Sequence, residues 1–385
     1  MTTRKKLKIA LKGSKSISNR ALLLCEINKI LGLKVPKLKN LSTSDDTRIM
    51  QEGLKLLTQK KTPKTINLGN TGTAVRFLIA FAAATGKEVT ITGSKRMKNR
   101  PIDDLIKAMN KLGCNIESKN GFLPVKIHKS EFIGGKTEIS TSESSQFLSA
   151  LLMVAPLAKN PLEIAITGKK VSEPYIDMTF EMMKIFQEEP KEFFIEGDAS
   201  SASYLGAYAL LKDVELQIEN LSEKSLQGDI AFLKYLKKID SKPTLSPLGT
   251  IDMSATPDLV PTFAILATTT KGTTKITNIA NLKLKESDRI TSLAKGLKKL
   301  GVEVKTGEDF LEIEGQSITT IIEKNAKKRI TINPHNDHRI AMAFGVLKKT
   351  ILPRLKIAHP SVVSKSYPEF WSDLNRLNKT TKQNN

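Results

Sequence analysis

The chain has 385 residues, enough for two domains, and its 39% hydrophobic and 26% charged residues are typical of a globular protein rather than a disordered one. No apolar run approaches the ~18–20 residues that a bilayer span needs, so no membrane-spanning helix is expected. Two cysteines, Cys25 and Cys114, cannot form a disulfide framework, and we therefore expect a cytoplasmic protein in a reducing compartment.

The formal net charge of +22 has three interpretations: nucleic-acid binding, anionic small-molecule substrates, or a solvated lysine-rich surface. Aromatic residues, which stack on bases in single-strand binders, make up only 5% of the chain, and the lysines are spread along it in short groups. Most of the charge is therefore assigned to the solvated surface. The remaining question is which basic residues that assignment leaves unexplained.

Two kinds of helix alternate along the chain. The first is short, apolar and rich in Ala, and opens with Ser, Thr, Asn, Asp or Gly, which predicts buried helices with side-chain N-caps. Such helices are predicted at Gly13–Ile27, Asn70–Thr85, Ser144–Leu157, Asp198–Leu211, Thr256–Ala267 and Asn336–Leu347. The second kind is amphipathic and is predicted at Asp45–Leu57, Pro101–Leu112, Pro174–Phe186, Gly228–Lys238, Ser287–Leu300 and Glu369–Leu377. Strands rich in β-branched residues lie between them, for example at Val89–Thr92, Lys275–Ile279 and Arg329–Ile332.

The same unit, one strand with one helix of each kind, occurs about six times along the chain. The run Lys111-Leu112-Gly113 resembles Lys299-Leu300-Gly301, which follows close to half a chain length later. The repeat predicts two similar halves of three units each, in the α/β or α+β class, joined by short crossovers.

Seven runs place cations, hydroxyls or amides at the N-termini of predicted helices, where free N–H groups and about half a positive charge attract anions. They are Gly13–Arg20, Leu68–Arg76, Arg96–Ile102, Ser144–Phe147, Asn281–Arg289, Asn336–Met342 and Lys365–Pro368. None has the glycine and lysine spacing of a P-loop, which excludes a nucleotide site of that type. A metal site at His335, Asp337 and His338 is the alternative for one run, but the chain has only four His and no Cys nearby.

Two of these runs suggest particular chemistry. Arg100 directly precedes Pro101, which favours an extended backbone and suits a bidentate contact with a carboxylate or phosphate. Glu286 lies between Lys285 and Arg289 at a helix start, an arrangement that can tune a proton-transfer group.

Ten ordered runs together strongly resemble the 5-enolpyruvylshikimate-3-phosphate synthase family and cover nearly the whole chain. They are Gly13–Arg20, Leu68–Arg76, Arg96–Pro101, Ser144–Ala150, Ser172–Asp177, Gly197–Tyr204, Pro257–Ala267, Lys285–Arg289, Asp337–Met342 and Ser364–Phe370. The resemblance implies the two-domain enolpyruvyl transferase fold, each domain built from three βαβαββ units. It places one domain at residues 14–196 and the other at residues 1–13 with 197–385, with the active site in the cleft between them.

The resemblance also implies the activity: transfer of the enolpyruvyl group of phosphoenolpyruvate to the 5-hydroxyl of shikimate 3-phosphate, with release of phosphate. No metal or organic cofactor is implied, nor a nucleic-acid or membrane partner, and a monomer is expected. By resemblance, Asp258 accepts the proton of the attacking hydroxyl, Glu286 protonates the enol methylene, and Lys365 or Lys285 shares these transfers. The shikimate 3-phosphate residues implied are Lys15, Ser16, Arg20, Ser144, Ser145, Gln146, Ser172, Asp258, Asn281 and Lys285. The phosphoenolpyruvate residues implied are Lys15, Gly72, Arg100, Gln146, Arg289, Arg339 and Lys365.

The chain departs from the family pattern in several places. Lys12 and Phe77 replace common prolines, and the stretches Leu57–Ile66, Phe186–Ile195 and Ile239–Thr250 are short where the family has a pair of strands. Some units are therefore expected to lack their hairpins.

Three other functions remain as alternatives. The nearest is the related transferase that acts on UDP-N-acetylglucosamine, which has a Lys-Asn pair where this chain has Lys15-Ser16 and uses a loop cysteine. The others are a non-catalytic basic nucleic-acid-binding protein and a catalytically inactive relative.

Overall fold

The structure, a computed structural model, describes residues 4–169, 171–240 and 245–382. The chain separates into two compact units, Gly13–Ile195 (the central unit) and Met1–Lys12 with Glu196–Asn385 (the terminal unit). The predicted domain ranges place both boundaries one residue later. No helix in the described part of the chain is long and apolar enough to cross a membrane.

Helices and strands alternate throughout the described residues. The helices are α1 (Lys15–Ile30), α2 (Asp45–Thr58), α3 (Gly72–Ala84), α4 (Asp103–Lys111), α5 (Ser145–Val154), α6 (Pro174–Gln187), α7 (Ala199–Leu211), α8 (Phe232–Ile239), α9 (Val260–Ala267), α10 (Arg289–Lys299), α11 (Ile318–Asn325), α12 (His338–Thr350) and α13 (Phe370–Lys382). The strands are β1 (Lys6–Ile9), β2 (Lys37–Lys39), β3 (Thr65–Asn67), β4 (Val89–Thr92), β5 (Asn115–Lys119), β6 (Phe122–His128), β7 (Gly135–Ser140), β8 (Leu162–Thr167), β9 (Glu192–Phe194), β10 (Glu215–Ile218), β11 (Gly249–Asp252), β12 (Gly272–Thr277), β13 (Glu303–Thr306), β14 (Leu311–Gly315), β15 (Thr331–Ile332) and β16 (Lys356–Ile357).

Among the residues that the structure describes, each unit has three small sheets, and each sheet is built on one pair of parallel strands. In the central unit the pairs are β2–β9, β3–β4 and β7–β8, and in the terminal unit they are β1–β10, β11–β12 and β15–β16. Helices α3, α5, α9 and α12 each connect the two strands of one pair. The pairs β1–β10 and β2–β9 join strands far apart in sequence. Strands β2 and β9 are the first and last of the central unit, which lies in the sequence between β1 and β10 of the terminal unit.

The first crossover requires a glycine. A Cβ on Gly13 would lie 1.9 Å from the carbonyl oxygen of Asn40 and 2.7 Å from the Ile195 side chain. These distances are far inside van der Waals contact, so only glycine allows the chain to pass there.

The predicted loss of hairpins is confirmed where the structure describes the chain. Antiparallel hairpins β5–β6 and β13–β14 follow α4 and α10 and widen one sheet of each unit to four strands. By contrast, α2 leads directly to β3 and α6 directly to β9. The third predicted truncation, Ile239–Thr250, lies partly outside the described residues.

The repeated Lys-Leu-Gly run marks the two retained hairpins. Gly113 and Gly301 end α4 and α10 with φ of +100° and +75°, a left-handed conformation that glycine adopts at little cost. The chain then turns into the first hairpin strand in both units. The internal repeat in the sequence therefore corresponds to one helix–turn–hairpin element in each unit.

The predicted apolar helices form the cores, as expected. On α3 every residue except the last is buried, and Phe77 and Phe81 have at most 1% of their surface exposed. Complete burial of such a side chain stabilises the fold by roughly 1.5–3 kcal/mol. Helices α7 and α12 pack together in the same way in the terminal unit.

The capping prediction is confirmed for four buried helices and wrong for two. The side chains of Ser14, Ser144, Asp198 and Asp337 accept hydrogen bonds from the first-turn amides of α1, α5, α7 and α12. The Thr71 hydroxyl instead donates to the carbonyl of Leu68 (2.7 Å), and α9 continues directly from a 3₁₀ turn, which satisfies its first amides differently.

Two further differences concern helix positions. Helix α4 begins at Asp103 rather than Pro101, since Ile102 has a non-helical backbone (φ −141°, ψ 10°). Helix α11 was not among the predicted helices, because its Ile- and Thr-rich sequence also fits a strand.

Candidate functional site

In the central unit, the N-termini of several helices are tied to one another by polar side chains. Lys15, in the first turn of α1, forms an ion pair with Asp46 in the first turn of α2, with Nζ 3.1 Å from Oδ2. Both side chains are largely buried, at 12% and 2% exposed. Asp46 was not predicted as a site residue, and it holds the Lys15 ammonium beside the start of α1.

Arg20 is the most enclosed cation of this group. Its guanidinium donates to the Ser16 and Tyr175 carbonyls and to the hydroxyls of Ser149 and Thr179, at 2.8–3.2 Å. These groups are neutral, and burial lowers the pKa of Arg20 to about 10. Four of its five N–H groups are used, so Arg20 can offer one more donor beside Ser16.

Arg100 lies flat against Gly72 at the start of α3. A Cβ on Gly72 would be 2.7 Å from Arg100 Nη1 and 3.0 Å from both Cζ and Nη2. Arg100 is 4% exposed and has the extended backbone predicted for the residue before a proline (φ −99°, ψ 128°). The absence of a side chain at Gly72 therefore creates the space that the guanidinium occupies.

Gln146, in the first turn of α5, is held by residues of α3. Arg76 Nη1 donates to its Oε1 (2.6 Å), and its Nε2 donates to the Thr73 hydroxyl (3.1 Å). These two contacts fix which end of the amide is the donor. Arg76 also lies over the ring of Phe147, 5.0 Å from its centroid. Arg76 and Thr73 belong to a motif noted in the sequence, but they were not predicted as site residues.

The predicted serines lie at the same helix starts. Ser144 caps α5, Ser145 opens that helix and is buried, and Ser16 is half-buried in the first turn of α1. Ser172, two residues before α6, has φ of +56°, a left-handed conformation that is uncommon for a residue with a side chain. Such local strain is found most often at binding and catalytic sites.

In the terminal unit, the predicted charged residues converge on Arg289, at the start of α10. Its Nε donates to Asp337 Oδ2 (2.8 Å), Nη1 to Asp258 Oδ1 (2.9 Å) and Nη2 to Glu286 Oε2 (2.7 Å). Burial by itself lowers the pKa of Arg289, but the three carboxylates outweigh it, so that the pKa is raised overall. The buried guanidinium, 1% exposed, thus fixes the positions of three carboxylates from three segments of the chain.

Each of the two predicted proton-transfer carboxylates also has a lysine beside it. Asp258 Oδ1 lies 4.0 Å from Lys285 Nζ, and Glu286 Oε1 lies 3.7 Å from Lys365 Nζ. Asp258 Oδ2 also accepts a hydrogen bond from Arg339 Nη2 (2.5 Å). Of the two cations that flank Glu286 in the sequence, Arg289 binds it directly (2.7 Å), and Lys365, about eighty residues later in the chain, adds a further positive charge beside it.

A further buried carboxyl, Asp229, was not predicted. It is 2% exposed and accepts a hydrogen bond from the Ser200 hydroxyl. Burial and, second, the negative charge of Asp258 raise the pKa of Asp229 to about 6. No motif in the sequence indicates Asp229, because its burial and the charge of Asp258 beside it depend on segments that are distant along the chain.

The remaining predicted residue, Asn281, lies in a 3₁₀ turn (Ala280–Leu284) ahead of α10. It is 6% exposed, and its Oδ1 accepts no hydrogen bond from any described residue. Such a buried acceptor has the geometry expected of a ligand-binding group.

The alternative of a metal site at His335, Asp337 and His338 gains no support. Among the described residues there is no group of three or more His, Cys, Asp or Glu side chains that could hold a metal ion. Asp337 instead caps α12 and binds Arg289.

Comparison with known proteins points to one family. The family model described as "EPSP synthase (3-phosphoshikimate 1-carboxyvinyltransferase)" matches residues 2–189 and 186–374. Curated relatives with the name 3-phosphoshikimate 1-carboxyvinyltransferase include that of Histophilus somni (strain 2336), 37% identical over 427 residues, and that of Actinobacillus pleuropneumoniae serotype 3 (strain JL03), 36% identical over 429 residues. The alignments cover 96% and 97% of this chain and 96% of each relative.

Solved structures show the same fold. The EPSP synthase of Acinetobacter baumannii matches with a TM-score of 0.70 over 98% of this chain and 96% of that one, at 20% sequence identity. With a family model spanning nearly the whole sequence and relatives more than a third identical, the resemblance predicted from ten ordered motifs is confirmed, and the chain belongs to the EPSP synthase family.

Proposed function

We propose that this chain transfers the enolpyruvyl group of phosphoenolpyruvate to the 5-hydroxyl of shikimate 3-phosphate and releases phosphate, as a step of the shikimate pathway toward chorismate and the aromatic amino acids. The observation that carries the proposal is the set of contacts around Arg289, which holds Asp258 and Glu286 at fixed positions on one guanidinium. One carboxylate can accept a proton while the other group delivers one.

The reaction needs two proton transfers in each of its two steps. In the addition, the 5-hydroxyl oxygen bonds to C2 of phosphoenolpyruvate, its proton leaves, and a proton adds to the C3 methylene. In the elimination the transfers reverse: C3 loses a proton, which restores the double bond, and the phosphate oxygen gains a proton as its bond to C2 breaks. A tetrahedral ketal phosphate lies between the steps.

Asp258 is the proposed proton acceptor for the attacking hydroxyl, with Lys285 4.0 Å away to stabilise the changing charge. Glu286 and Lys365, 3.7 Å apart, form the proposed donor pair for the methylene carbon. Because Arg289 and Lys365 both contact Glu286, their positive charges stabilise the carboxylate that forms when Glu286 gives up its proton. Return of a proton from C3 in the second step regenerates the acid.

The proposed binding residues have chemistry that suits polyanions. For shikimate 3-phosphate they are Lys15, Ser16, Arg20, Ser144, Ser145, Gln146, Ser172, Asp258, Asn281 and Lys285. For phosphoenolpyruvate they are Lys15, Gly72, Arg100, Gln146, Arg289, Arg339 and Lys365. Most lie in the first turn of a helix or just before one, where amide N–H groups and side-chain cations both favour phosphate and carboxylate groups. Each set contains residues of the central unit and of the terminal unit, and we propose that all of them act on the same pair of substrates.

The related transferase that uses a loop cysteine is not favoured by this structure. Cys114 is 6% exposed and precedes β5, and burial raises the pKa of its thiol to about 12. Cys25, on α1, is also buried, with its pKa raised to about 12 by burial. A thiol protonated at neutral pH is a poor nucleophile.

The test is a phosphate-release assay with phosphoenolpyruvate and shikimate 3-phosphate, each omitted in turn. Release is expected only with both substrates, and replacement of shikimate 3-phosphate by UDP-N-acetylglucosamine should abolish it. Release with the nucleotide sugar alone as acceptor would instead support the related transferase. The absorbance ratio of the purified protein, expected to be free of nucleic acid, tests the alternative of a nucleic-acid-binding protein.

We also propose a cytoplasmic monomer. Both buried cysteines are free thiols, as expected in a reducing compartment. Light scattering coupled to gel filtration should give a mass near 42.5 kDa.

A further inference from the structure

The terminal unit carries a helix that the central unit lacks. In the central unit, hairpin strand β6 is followed by β7 after residues 129–134, with no helix between them. In the terminal unit, the corresponding strand β14 is followed by residues 316–330, which contain α11, before β15 begins. The proposed function assigns no role to α11 or to the basic run that follows it, Lys327-Lys328-Arg329.

Helix α11 forms one wall of a pocket of about 150 Å³. Its other walls come from Leu300, directly after α10, from the segment between α11 and β15, and from the turn after α12. The apolar side chains that line it are Leu300, Ile322, Ile330, Ile351, Leu352 and Leu355. The pocket is open to solvent on one side, and its volume is large enough for a benzene-sized group.

The pocket wall is fixed by hydrogen bonds. The side-chain amide of Asn325, at the end of α11, donates to the carbonyls of Leu300 (3.0 Å) and Ile321 (2.8 Å). On the opposite side, Arg354 Nη1 donates to the carbonyl of Ala326 (3.1 Å). The helix end is thus attached both to α10 and to the turn after α12.

The rim of the pocket is cationic. Lys328 and Arg354 both line it and are exposed, and neither has a carboxylate partner among the residues that the structure describes. Further lysines lie nearby: Lys348 donates to the carbonyl of Leu355 (2.7 Å), and its pKa is lowered by burial and, second, by the positive charges of Lys349 and Lys356. An apolar cavity with unpaired cations at its mouth is complementary to an amphipathic anion.

The pocket is separate from the charged cluster around Arg289. Helix α12 begins beside Arg339 and ends at Thr350, just before the pocket-lining turn. Its 13 residues span about 20 Å at 1.5 Å per residue, so the pocket lies at the opposite end of α12 from Arg339.

We propose that this pocket binds a small amphipathic carboxylate, whose ring or branched apolar body enters the cavity while its carboxylate contacts Arg354 and Lys328. Transfer of the apolar body from water to the apolar walls of the pocket is favourable. The guanidinium and ammonium groups form charge-assisted contacts with the carboxylate. The site is independent of the proposed transferase activity.

The test uses 3-phenylpropanoate as the probe, and isothermal titration and isoleucine methyl NMR as the readouts. One saturable site with a dissociation constant of about 1 mM or below is expected, with shifts at Ile322, Ile330 and Ile351. The neutral analogue 3-phenylpropan-1-ol should bind at least about tenfold more weakly. Saturating shikimate 3-phosphate should not displace the probe. Displacement, or equal affinity for the alcohol, would overturn the proposal.

Two pairs of variants complete the test. The double variant Lys328→Gln/Arg354→Gln should weaken binding about tenfold or more, whereas Lys271→Gln/Lys295→Gln, which removes two exposed lysines outside the pocket, should leave it unchanged. Ile322→Glu places a negative charge at the pocket, where it would repel the carboxylate of the probe, and should therefore abolish binding. Ile322 is 41% exposed, so this variant is expected to fold. Its matched control is Ile133→Glu, a 47% exposed residue of the central unit. Equal binding by all four variants would refute the assignment.

Discussion

Replacing Gly72 by alanine should impair phosphoenolpyruvate binding through Arg100 alone. The new Cβ would lie 2.7 Å from Arg100 Nη1 and 3.0 Å from Cζ and Nη2. Since ordinary van der Waals contact begins near 3.5 Å, the guanidinium must move by about 0.8 Å. Arg100 is 4% exposed, so its surroundings limit where it can go. A displacement of about 1 Å can cost about 100-fold in rate or affinity at a preorganised site.

We therefore expect the phosphoenolpyruvate KM of Gly72→Ala to rise by about 10- to 100-fold, with little change in the KM for shikimate 3-phosphate. The fold itself should not suffer, because alanine is favoured over glycine in a helix by up to ~1 kcal/mol and the Gly72 backbone is helical. Steady-state kinetics with each substrate varied, together with thermal unfolding, separates the two effects.

A double-mutant cycle tests the physical reason. If the alanine acts by displacing the guanidinium, Gly72→Ala should have almost no further effect on KM in an Arg100→Ala background. Additive effects of the two substitutions would refute this reasoning, as would an unchanged phosphoenolpyruvate KM in the single variant.

Three other variants test separate parts of the structure. Glu286→Gln keeps the shape but removes the acid, so kcat should fall by about 10²–10⁴-fold, along with solvent-deuterium incorporation into the phosphoenolpyruvate methylene; near-normal kcat would assign that proton to another group. The pKa of Asp229 is raised from 3.8 to about 6 in the folded protein, so its carboxyl binds a proton more tightly in the folded than in the unfolded state. This stabilises the fold below pH 4, and the contribution is lost as the pH rises through about 6. Asp229→Asn should therefore be more stable than the parent at pH 7 by up to about 3 kcal/mol, with no advantage at pH 4 in denaturant titrations, and a uniform difference at both pH values would contradict this origin. Cys114→Ala should retain kcat and KM within about twofold, because a buried protonated thiol takes no part in the reaction, and loss of turnover with intact folding would restore the cysteine-dependent alternative.

The sequence by itself determined the family and the helices that form the cores, and it suggested which residues along the chain are candidates for the site. Apolar, Ala-rich runs with polar first residues can only be buried helices, and the Lys-Leu-Gly run at 111–113 and 299–301 indicated the doubled architecture. The short connections after α2 and α6 indicated missing hairpins, because a strand pair needs a minimum length of chain. These features are local, and spacing and residue type encode them directly.

Only the tertiary structure decided which side chains meet. The sequence places Lys285 next to Glu286 along the chain, but it does not show that Lys365 also lies 3.7 Å from Glu286 or that Lys285 lies 4.0 Å from Asp258. The same holds for Asp46 beside Lys15 and for Arg100 against Gly72. The raised pKa of Asp229 arises from burial and from the charge of Asp258, both of which depend on packing between distant segments. Long-range contacts of this kind leave no period or motif in a single sequence, because they are set by how helices and strands stack rather than by the residues next to them.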